Sequence, residues 1–371
     1  MTSDETFDIF LVVAPGLEDA LRKEALDQGF AGARAGVGGV TVKGGWPDVW
    51  RANLMIRGTS RVLARIGSFR VMHLAQLDKR ARKFAWSDYL RADVPVRVEA
   101  SCTRSRIYHA GAAAQRIGTA IREELGAAID DKAAVSIKAR IEDDLCTISI
   151  DTSGDMLHKR GHKEAVGKAP MRETLASLFL RQCGFNGGEP VVDPMCGSGT
   201  FVIEAAEIAA GLPPGRSRSF AFEKLATFDA AAWERLRARH KGITPVVRFH
   251  GSDRDAGAIR MSRANAKRSG VDGFTDFKQQ AISDLTPPEG PQGLVIVNPP
   301  YGTRIGDKKP LHALYGALGQ TLITRFSGWR VGLITTDAAL AKSTGLPFLP
   351  TGKPVLHGGL KVLLFQTAAL A

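Results

Sequence analysis

Residues 190–201 of this 371-residue chain read PVVDPMCGSGTF, and this stretch decides the fold of the C-terminal half. It predicts a strand that ends at Asp193, a turn through Gly197 and Gly199, and a helix over about 200–210. The glycines let the backbone approach a ligand closely, and the helix N-terminus attracts anionic groups such as a carboxylate. The lysine of a phosphate-binding P-loop is absent, as are the third glycine and later acid of the dinucleotide fingerprint.

A second motif follows at residues 293–302, which read GLVIVNPPYG. An apolar strand ends in an amide, and Pro299 and Pro300 then remove backbone N–H donors and stiffen the turn. This leaves the Asn298 side-chain oxygen and the Pro299 carbonyl as acceptors, while Tyr301 offers a ring on which a base can stack. Two such acceptors would bind both hydrogens of an exocyclic amino group and expose its lone pair for in-line attack. Alone, the turn fits the simple end of a buried strand equally well; after the glycine turn, the functional interpretation is favoured.

A third element lies between these two motifs. Residues 245–253, PVVRFHGSD, predict a strand that ends in Asp253, the position where a carboxylate grips ribose hydroxyls in nucleotide-binding sheets. Asp255 is predicted to cap the helix over 256–269. A second helix cap or a surface acid is the simpler interpretation of Asp253.

These residues resemble the class I S-adenosylmethionine-dependent methyltransferases that modify exocyclic amino groups. Upstream, residues 98–109 (VEASCTRSRIYH) resemble the core strand and turn of a THUMP domain. Residues 150–162 (IDTSGDMLHKRGH) resemble the junction to the methyltransferase, and residues 169–176 (APMRETLA) resemble the cofactor-side helix that follows. Together they resemble the THUMP-containing RNA guanine-N2 methyltransferases, in particular the bacterial 23S ribosomal RNA branch.

The resemblance implies an α/β fold class and a division into domains. The C-terminal part is expected to be a doubly wound, mostly parallel, seven-stranded Rossmann-like methyltransferase sheet with an antiparallel edge hairpin. It is preceded by α+β ferredoxin-like and THUMP domains. The implied division is 1–69 for the ferredoxin-like domain, 70–156 for the THUMP RNA-binding domain, 157–168 for a linker and 169–371 for the methyltransferase domain. The alternation of strands and helices supports this order.

The resemblance also assigns the site. The implied catalytic residues are Asn298, Pro299, Pro300 and Tyr301. The residues implied to bind S-adenosylmethionine are Asp193, Pro194, Met195, Cys196, Gly197, Ser198, Gly199, Thr200, Asp253, Ala281, Ile282, Asp284 and Thr174. One position departs from the family, because Ala281 stands where an acid usually binds the adenine amino group. Asp284, Gln280 or backbone groups near Ala281 and Ile282 are the candidate replacements.

The charge of the chain points to a polyanionic partner. The net charge of +12 and the pI near 9.7 suit RNA, because attraction to phosphates dominates non-specific nucleic-acid affinity. The predicted RNA contacts are Arg57, Arg61, Arg80, Arg82, Lys83, Arg104, Arg106, Lys159 and Arg160. Any one of them is explained by a solvated surface, but the group favours an RNA-binding face that recognises backbone and shape. Arg216, Arg218 and Phe222, in an insertion over 211–241, either contact RNA or pack. Arg304 either orients RNA or is a surface charge.

The remaining features exclude other classes. The four cysteines have no metal-ligand spacing and the eight histidines form no cluster, so no metal is predicted. A covalent role for Cys196 is not expected, since attack by an amino group needs no enzyme intermediate. The acidic, polar start is not a signal peptide and no apolar run approaches a membrane span, so we expect a cytoplasmic protein. A monomer is expected.

Four alternatives stay open. A tRNA guanine-N2 methyltransferase would have the same architecture. A DNA adenine-N6 methyltransferase would use the same turn, although no DNA-reading module is recognisable. A protein glutamine methyltransferase would leave the basic N-terminal half unexplained. A non-catalytic RNA-binding protein would leave both turns unexplained.

Overall fold

The computed structural model of the protein describes residues 6–164, 171–301 and 309–371. The described chain forms two compact units. The first contains residues 6–13, 21–157 and 218–239, and the second contains residues 14–20, 158–217 and 240–371 outside the gaps. The predicted residues 169–170 and Arg304 lie outside the described ranges.

The described residues form fourteen strands and ten α-helices. The strands are β1 Phe7–Val12, β2 Arg34–Gly36, β3 Gly39–Gly44, β4 Arg61–Arg70, β5 Val96–Thr103, β6 Val135–Glu142, β7 Leu145–Asp151, β8 Val191–Asp193, β9 Phe249–Asp253, β10 Thr275–Gln279, β11 Leu294–Val297, β12 Arg330–Thr335, β13 Val355–His357 and β14 Leu360–Gln366. The helices are α1 Glu18–Asp27, α2 Trp46–Met55, α3 Leu74–Arg82, α4 Ala110–Leu125, α5 Glu173–Gln182, α6 Thr200–Ala209, α7 Ala230–Ala238, α8 Ala256–Ser269, α9 Lys309–Arg325 and α10 Ala338–Ser343.

The first sheet has seven strands in the order β2-β3-β1-β4-β7-β6-β5. Its pairs are antiparallel except for β5 and β6, which run parallel. Strand β4 has no counterpart among the strands predicted from the sequence, and its register pairs it with β1 on one side and β7 on the other. This strand joins the predicted ferredoxin-like and THUMP parts into one sheet. The boundary at 69/70, at the end of β4, stays a prediction.

The second sheet has the order β10-β9-β8-β11-β12-β14-β13. The first five strands run parallel, and β14 pairs antiparallel with both β12 and β13. The β13–β14 turn has positive φ at Gly358 and Gly359, as the tight two-residue hairpin turn requires. The predicted fold class, a Rossmann-like sheet with an antiparallel edge pair, is confirmed.

Local signals explain where the site elements begin and end. Asp255 caps α8, because its Oδ1 accepts a hydrogen bond from the Gly257 N–H at 2.7 Å. Gly270, in the left-handed conformation, ends that helix. The strand predicted over 245–253 is shorter than expected, because the registers with both neighbouring strands begin at Phe249.

The segment 218–239, inserted between β8 and β9, belongs to the first unit. The Phe222 ring is fully buried and lies 5.0 Å from the Trp233 ring, edge to face. The Arg218 guanidinium donates to the backbone carbonyls of Ser153, Asp155 and Met156. Both side chains therefore pack, which decides between the two interpretations left open by the sequence.

Candidate active site

Three polar side chains stand where neighbouring parallel strands of the second sheet end. Asp193 is the last residue of β8, Asp253 is the last of β9, and Asn298 directly follows β11. The strands are adjacent in the order β9-β8-β11, and Asp193 is in register with Gly251. Carboxyl ends of parallel strands meet at one edge, where open α/β sheets bind their ligands. The topology therefore brings together the three motifs that the sequence singled out.

The glycine turn is tied to both acids. Gly197 donates its backbone N–H to Asp253 Oδ2 at 3.1 Å, and Met195 donates its N–H to Asp193 Oδ1 at 3.1 Å. Gly197 and Gly199 have φ of +53° and +84°. A Cβ at Gly199 would lie 2.8 Å from the Ser262 Cβ, whereas a Cβ at Gly197 would meet no atom within 4 Å. Gly199 thus allows close packing of α6, and Gly197 faces open space.

Burial makes Asp193 an unusual carboxyl group. Desolvation raises the pKa of Asp193 to about 8. The hydrogen bond from the Met195 N–H lowers this pKa, and the negative charge of Asp253 raises it further. A cationic amino group beside it would favour the ionised form. Burial also raises the pKa of the Cys196 thiol well above its usual value. Cys196 is therefore a neutral thiol at pH 7.

The Asn-Pro-Pro-Tyr turn carries an acceptor without a donor. Asn298 Oδ1 is buried and has no hydrogen-bond partner among the described residues. Pro299 is buried and Pro300 is exposed. Because both are prolines, these two residues offer backbone carbonyls and no N–H groups. The Pro300 carbonyl accepts a hydrogen bond from the Tyr315 hydroxyl at 3.4 Å. A buried acceptor left unpaired is costly, so Asn298 is suited to a donor that arrives with a ligand.

Aromatic and apolar side chains line the same edge. Tyr301 is half-buried, and it packs against the apolar core cluster that Met195 and Ile282 also contact. Burial raises the pKa of the Tyr301 hydroxyl to about 12, so it is neutral at pH 7. Tyr315, which is fully buried in α9, was missed by the sequence analysis. Its residue type in an ordinary helix gives no signal, because only the fold brings its hydroxyl to Pro300.

The other predicted cofactor residues differ in their access. Thr174 lies in the first turn of α5 and is buried, and Pro194, Ser198 and Thr200 are buried in or next to the glycine turn. The Thr200 hydroxyl accepts from Lys163 Nζ at 2.8 Å, so it already has a partner. Lys163 also forms a largely buried ion pair with Glu173. This lysine, which the sequence analysis did not assign to the cofactor, fixes the starts of α5 and α6.

The loop after β10 holds the position where the family's acid is missing. Ala281 and Asp284 are exposed, and Ile282 is half-buried. The Gln280 amide donates to the Asp284 carbonyl at 2.6 Å, so its side chain is turned onto its own loop. The Gln280 backbone N–H donates to the Asp253 carbonyl at 3.0 Å. Asp284, Gln280 and the backbone groups near Ala281 and Ile282 therefore stay the candidate replacements for an adenine contact.

Three of the predicted RNA contacts are buried or paired within the protein. Arg160 is 1% exposed and forms an ion pair with Glu204 at 3.0 Å, so it cannot reach RNA in this conformation. Arg57 is 8% exposed. Arg61 forms an ion pair with the buried Asp151 and donates to the Gly154 carbonyl. The sequence pattern could not separate these structural arginines from surface ones.

The remaining predicted contacts fall into two groups. Arg82 pairs with Asp78, Glu123 and Glu124; Arg104 pairs with Glu142 and Asp143; and Arg106 lies 3.8 Å from Asp144. Arg80, Lys83 and Lys159 are exposed. Arg216 pairs with the buried Glu207, so it packs. Several of the predicted RNA contacts are therefore already paired with acids of the protein, whereas Arg80 and Lys83, at the end of α3, are exposed.

Within the described part of the chain, no three His, Cys, Asp or Glu side chains come close enough to hold a metal ion. Among the helices within 6–164, 171–301 and 309–371, we find none with the length and hydropathy that a membrane span requires.

Two protein-family models match the chain, one near its N-terminus and one over most of its C-terminal half. Residues 160–347 match an "RMKL-like, methyltransferase domain", and residues 8–63 match an "RlmL ferredoxin-like domain". Two relatives are named ribosomal RNA large subunit methyltransferase K/L. The one from Marinomonas sp. (strain MWYL1) is 31% identical over 100% of this chain and 54% of its own length. The one from Syntrophotalea carbinolica is 33% identical over 92% of this chain and 51% of its own length. The chain thus spans about half the length of these curated relatives.

Other similar proteins match over nearly their whole length. A Synechocystis protein, provisionally named an RNA methyltransferase, is 30% identical over 98% of this chain and 97% of its own. A Clostridium difficile 630 structure, provisionally described as a methylase, has a TM-score of 0.89 at 30% identity and covers 99% of both chains. SMU.472, provisionally described as a methyltransferase and solved with SAH, has a TM-score of 0.86 at 27% identity over 99% of both chains. A Listeria monocytogenes structure, described from its sequence as an N6-adenine-specific DNA methylase, has a TM-score of 0.87 at 27% identity, over 98% of this chain and 97% of its own.

Proposed function

The chain belongs to the family of RMKL-like methyltransferases, and from this membership we propose that it methylates the exocyclic N2 of a guanosine in large-subunit ribosomal RNA. The methyl donor is S-adenosylmethionine, which supplies an electrophilic methyl group. The single observation that carries the proposal is the buried Asn298 Oδ1, an acceptor that has no donor among the described residues at the carboxyl edge of the sheet. An exocyclic amino group is a donor that would satisfy it.

The residues at the glycine turn fit S-adenosylmethionine. Asp193 is neutral at pH 7 because it is buried. An ammonium group brought by a ligand would be a partner for its ionised form. Asp253 is oriented by the N–H groups of Gly197 and Asp255 and keeps acceptor capacity for ribose hydroxyls. The open space at Gly197 leaves room for a ligand against the backbone. These are the residues that would hold the cofactor.

The proposed chemistry of the turn is orientation. Asn298 and the Pro299 carbonyl accept the two amino hydrogens and direct the nitrogen lone pair, while the Tyr301 ring stacks on the base. The Tyr315 hydroxyl lies 3.4 Å from the Pro300 carbonyl and 3.2 Å from Thr335 Oγ1, so it contacts the turn from the core. A general base is not required, because the proton becomes acidic only as the N–C bond forms. The guanosine must first leave its stack, which costs a few kcal/mol.

The proposed substrate is RNA, and rRNA is preferred to tRNA. The basic net charge suits a nucleic acid, and two relatives are named for the large ribosomal subunit. We also propose the domain division 1–69, 70–156, 157–168 and 169–371, with RNA contacts in the first two domains. A DNA adenine-N6 methyltransferase is the second candidate, favoured by the described activity of the Listeria neighbour.

The test is methyl transfer from labelled S-adenosylmethionine to separated rRNA, tRNA and DNA from a strain that lacks this gene. Nucleoside analysis of the labelled pool identifies the product. We expect N2-methylguanosine in rRNA. The same nucleoside in tRNA would keep the chemistry and change the substrate, and N6-methyladenine in DNA would contradict the RNA assignment.

A matched pair of variants tests the role of the amide. Asn298→Ala should lower turnover by about 10²–10³-fold, as the loss of one preorganised hydrogen-bonding group does elsewhere. Its calorimetric affinity for S-adenosylmethionine should match that of the unsubstituted protein. Asn186→Ala, the same change at an exposed residue of the same unit, should leave both unchanged. Normal turnover in Asn298→Ala would refute the proposed geometry.

A further inference from the structure

The first unit contains a cavity of about 620 Å³ that the proposed function does not use. Three aromatic rings form part of its wall. The Phe7 and Trp46 ring centroids lie 5.3 Å apart at 56°, and the Trp46 and Tyr89 centroids lie 6.3 Å apart at 49°. All three side chains are partly exposed, so the cavity opens to solvent. Its size falls within the range of small-ligand sites.

Two polar atoms of the lining residues have no partner. Trp50 is 3% exposed, and its indole Nε1 is buried without a hydrogen-bond partner among the described residues. The same is true of the Thr227 hydroxyl, which comes from the segment 218–239. Buried donors are nearly always satisfied in native proteins, because leaving one unpaired is costly. Because both residues line the cavity, an occupant that carries an oxygen acceptor is a candidate partner for these groups.

The charge of the lining selects the kind of occupant. Asp88 and Asp229 line the cavity and are exposed, and none of its described lining residues is a lysine, arginine or histidine. Asp88 forms no ion pair within the described part of the chain, and Asp229 uses Oδ1 to cap α7. This acidity stands out in a chain of net charge +12. It repels phosphate, so a nucleotide is a poor occupant.

We propose that this cavity binds an organic cation that also carries a hydroxyl or carbonyl oxygen. The face of an aromatic ring attracts an ammonium or guanidinium group within about 6 Å of its centroid, and three such rings form part of the wall. Asp88 and Asp229 supply the complementary charge, and Trp50 and Thr227 supply partners for the oxygen. A free quaternary ammonium alcohol and an arginine residue of a protein share this chemistry.

Calorimetric titration of the full chain separates these sources and tests the charge. The cationic probes are choline and N-acetylarginine methylamide. Their neutral controls, of nearly the same shape, are 3,3-dimethylbutanol and N-acetylcitrulline methylamide. Binding of choline alone supports a free small molecule, and binding of the arginine probe alone or of both supports a protein side chain as a source. No binding by either cation, or equal binding by the neutral controls, would overturn the proposal.

Variants locate the binding in the cavity. Asp88→Asn removes one charge without changing shape, and it should weaken cation binding about tenfold. Asp131→Asn removes the same charge from an exposed position of the same unit outside the lining, and it should have no effect. Thr227→Val should also weaken binding of the oxygen-bearing probes. A thermal melt of each variant controls for folding, and unchanged affinity in a folded Asp88→Asn variant would contradict the site.

These tests are independent of methyl transfer. Asp88 and Thr227 belong to the first unit, and Asp193, Asp253 and Asn298 belong to the second. Both cavity variants should therefore bind S-adenosylmethionine with unchanged affinity. A failure of the cation proposal would leave the proposed methyltransferase function untouched, and the reverse also holds.

Discussion

The carboxyl edge of the methyltransferase sheet and the basic surface of the N-terminal unit were both predicted from sequence. The structure brings the residues of the first together, but it separates many of those of the second. At the sheet edge, Asp193, Asp253 and Asn298 are far apart in sequence and are brought together by parallel strands. In the N-terminal unit, arginines close in sequence are separated by the fold. The sheet topology determines where a polar residue at the end of a strand lies. Charged residues that are neighbours in sequence, by contrast, do not necessarily form a charged surface.

The strand β4 shows how the charges are separated. Of its arginines, Arg61 pairs with Asp151 on the adjacent β7, and Arg65 lies 3.9 Å from Asp8 on the adjacent β1. The Arg70 guanidinium donates to the Asp143 carbonyl. These contacts hold the sheet together and leave less charge for a polyanion.

The largest expected effect comes from the predicted RNA contact that proved to be buried. Arg160→Ala removes an ion-pair partner of Glu204, which is 1% exposed, and should lower the free energy of unfolding by about 3–5 kcal/mol. Denaturant unfolding would measure this. Arg80→Ala, at an exposed site, should change it by less than about 0.5 kcal/mol.

A double variant sharpens the same point. Arg160→Met with Glu204→Leu removes both charges, so it should recover much of the stability that the single variant loses. If Arg160→Ala unfolds like the unsubstituted protein but binds RNA less tightly, the assignment of Arg160 to the interior would be wrong.

The next effect is a pH dependence at the sheet edge. Because burial raises the pKa of Asp193 to about 8, its carboxyl is protonated in the ligand-free protein below that pH. If binding of S-adenosylmethionine requires the carboxylate, its affinity should fall about tenfold per pH unit below pH 8. Calorimetry between pH 6 and pH 9 would measure this, and Asp193→Asn should bind weakly with a flat profile. A flat profile in the unsubstituted protein would contradict the role of Asp193.

The same group affects folding with a defined sign. Its pKa is about 8 in the folded chain and near 3.8 when unfolded, so between these values the folded state holds the extra proton. Stability without ligand therefore falls as pH rises through this window, and this contribution is flat above about pH 8. In Asp193→Asn that part of the pH dependence should disappear.

Sequence reasoning predicted the elements whose signals are local. The cap at Asp255, the glycine turn before α6 and the Gly358–Gly359 hairpin each depend on a few adjacent residues, and all are found. The order of motifs also predicted the second sheet, because strands that alternate with helices form parallel sheets. Catalytic roles for Asn298 and Tyr301 stay predictions, although the buried, unpaired oxygen agrees with them.

Features that depend on distant partners could not be predicted. Whether an arginine is buried depends on an acid elsewhere in the chain, as Glu204 is for Arg160. The placement of segment 218–239 in the first unit has no local signal either, because its aromatic residues indicate only that it packs somewhere. The Tyr315 hydroxyl and the aromatic cavity belong to the same class, since both arise from contacts across the fold.

A smaller effect should separate the two glycines of the turn. Gly199→Ala combines a positive φ with a contact of 2.8 Å to the buried Ser262, and it should lower the free energy of unfolding by about 1–3 kcal/mol. Gly197→Ala has only the cost of its φ, about 1–2 kcal/mol, but its methyl group enters the open space. We expect Gly197→Ala to lose more cofactor affinity than stability. If both variants lose the same stability in denaturant unfolding and the same cofactor affinity in calorimetry, this distinction between the two glycines would be wrong.

The smallest effects concern the charges that remain exposed. Lys79, Arg80 and Lys83 lie at the end of α3 without an ion pair among the described residues, whereas Arg104 is paired with Glu142 and Asp143. Each lost phosphate contact should lower the slope of log affinity against log salt by roughly 0.7–0.9. Replacing all three α3 residues with alanine should therefore reduce the slope by roughly two to three, and Arg104→Ala by less than about 0.5. Filter binding of rRNA at several salt concentrations measures both. If the slope changes equally per residue in both variants, RNA must replace the acids that pair with Arg104. Ion pairs in the free protein would then not distinguish structural arginines from RNA-binding ones.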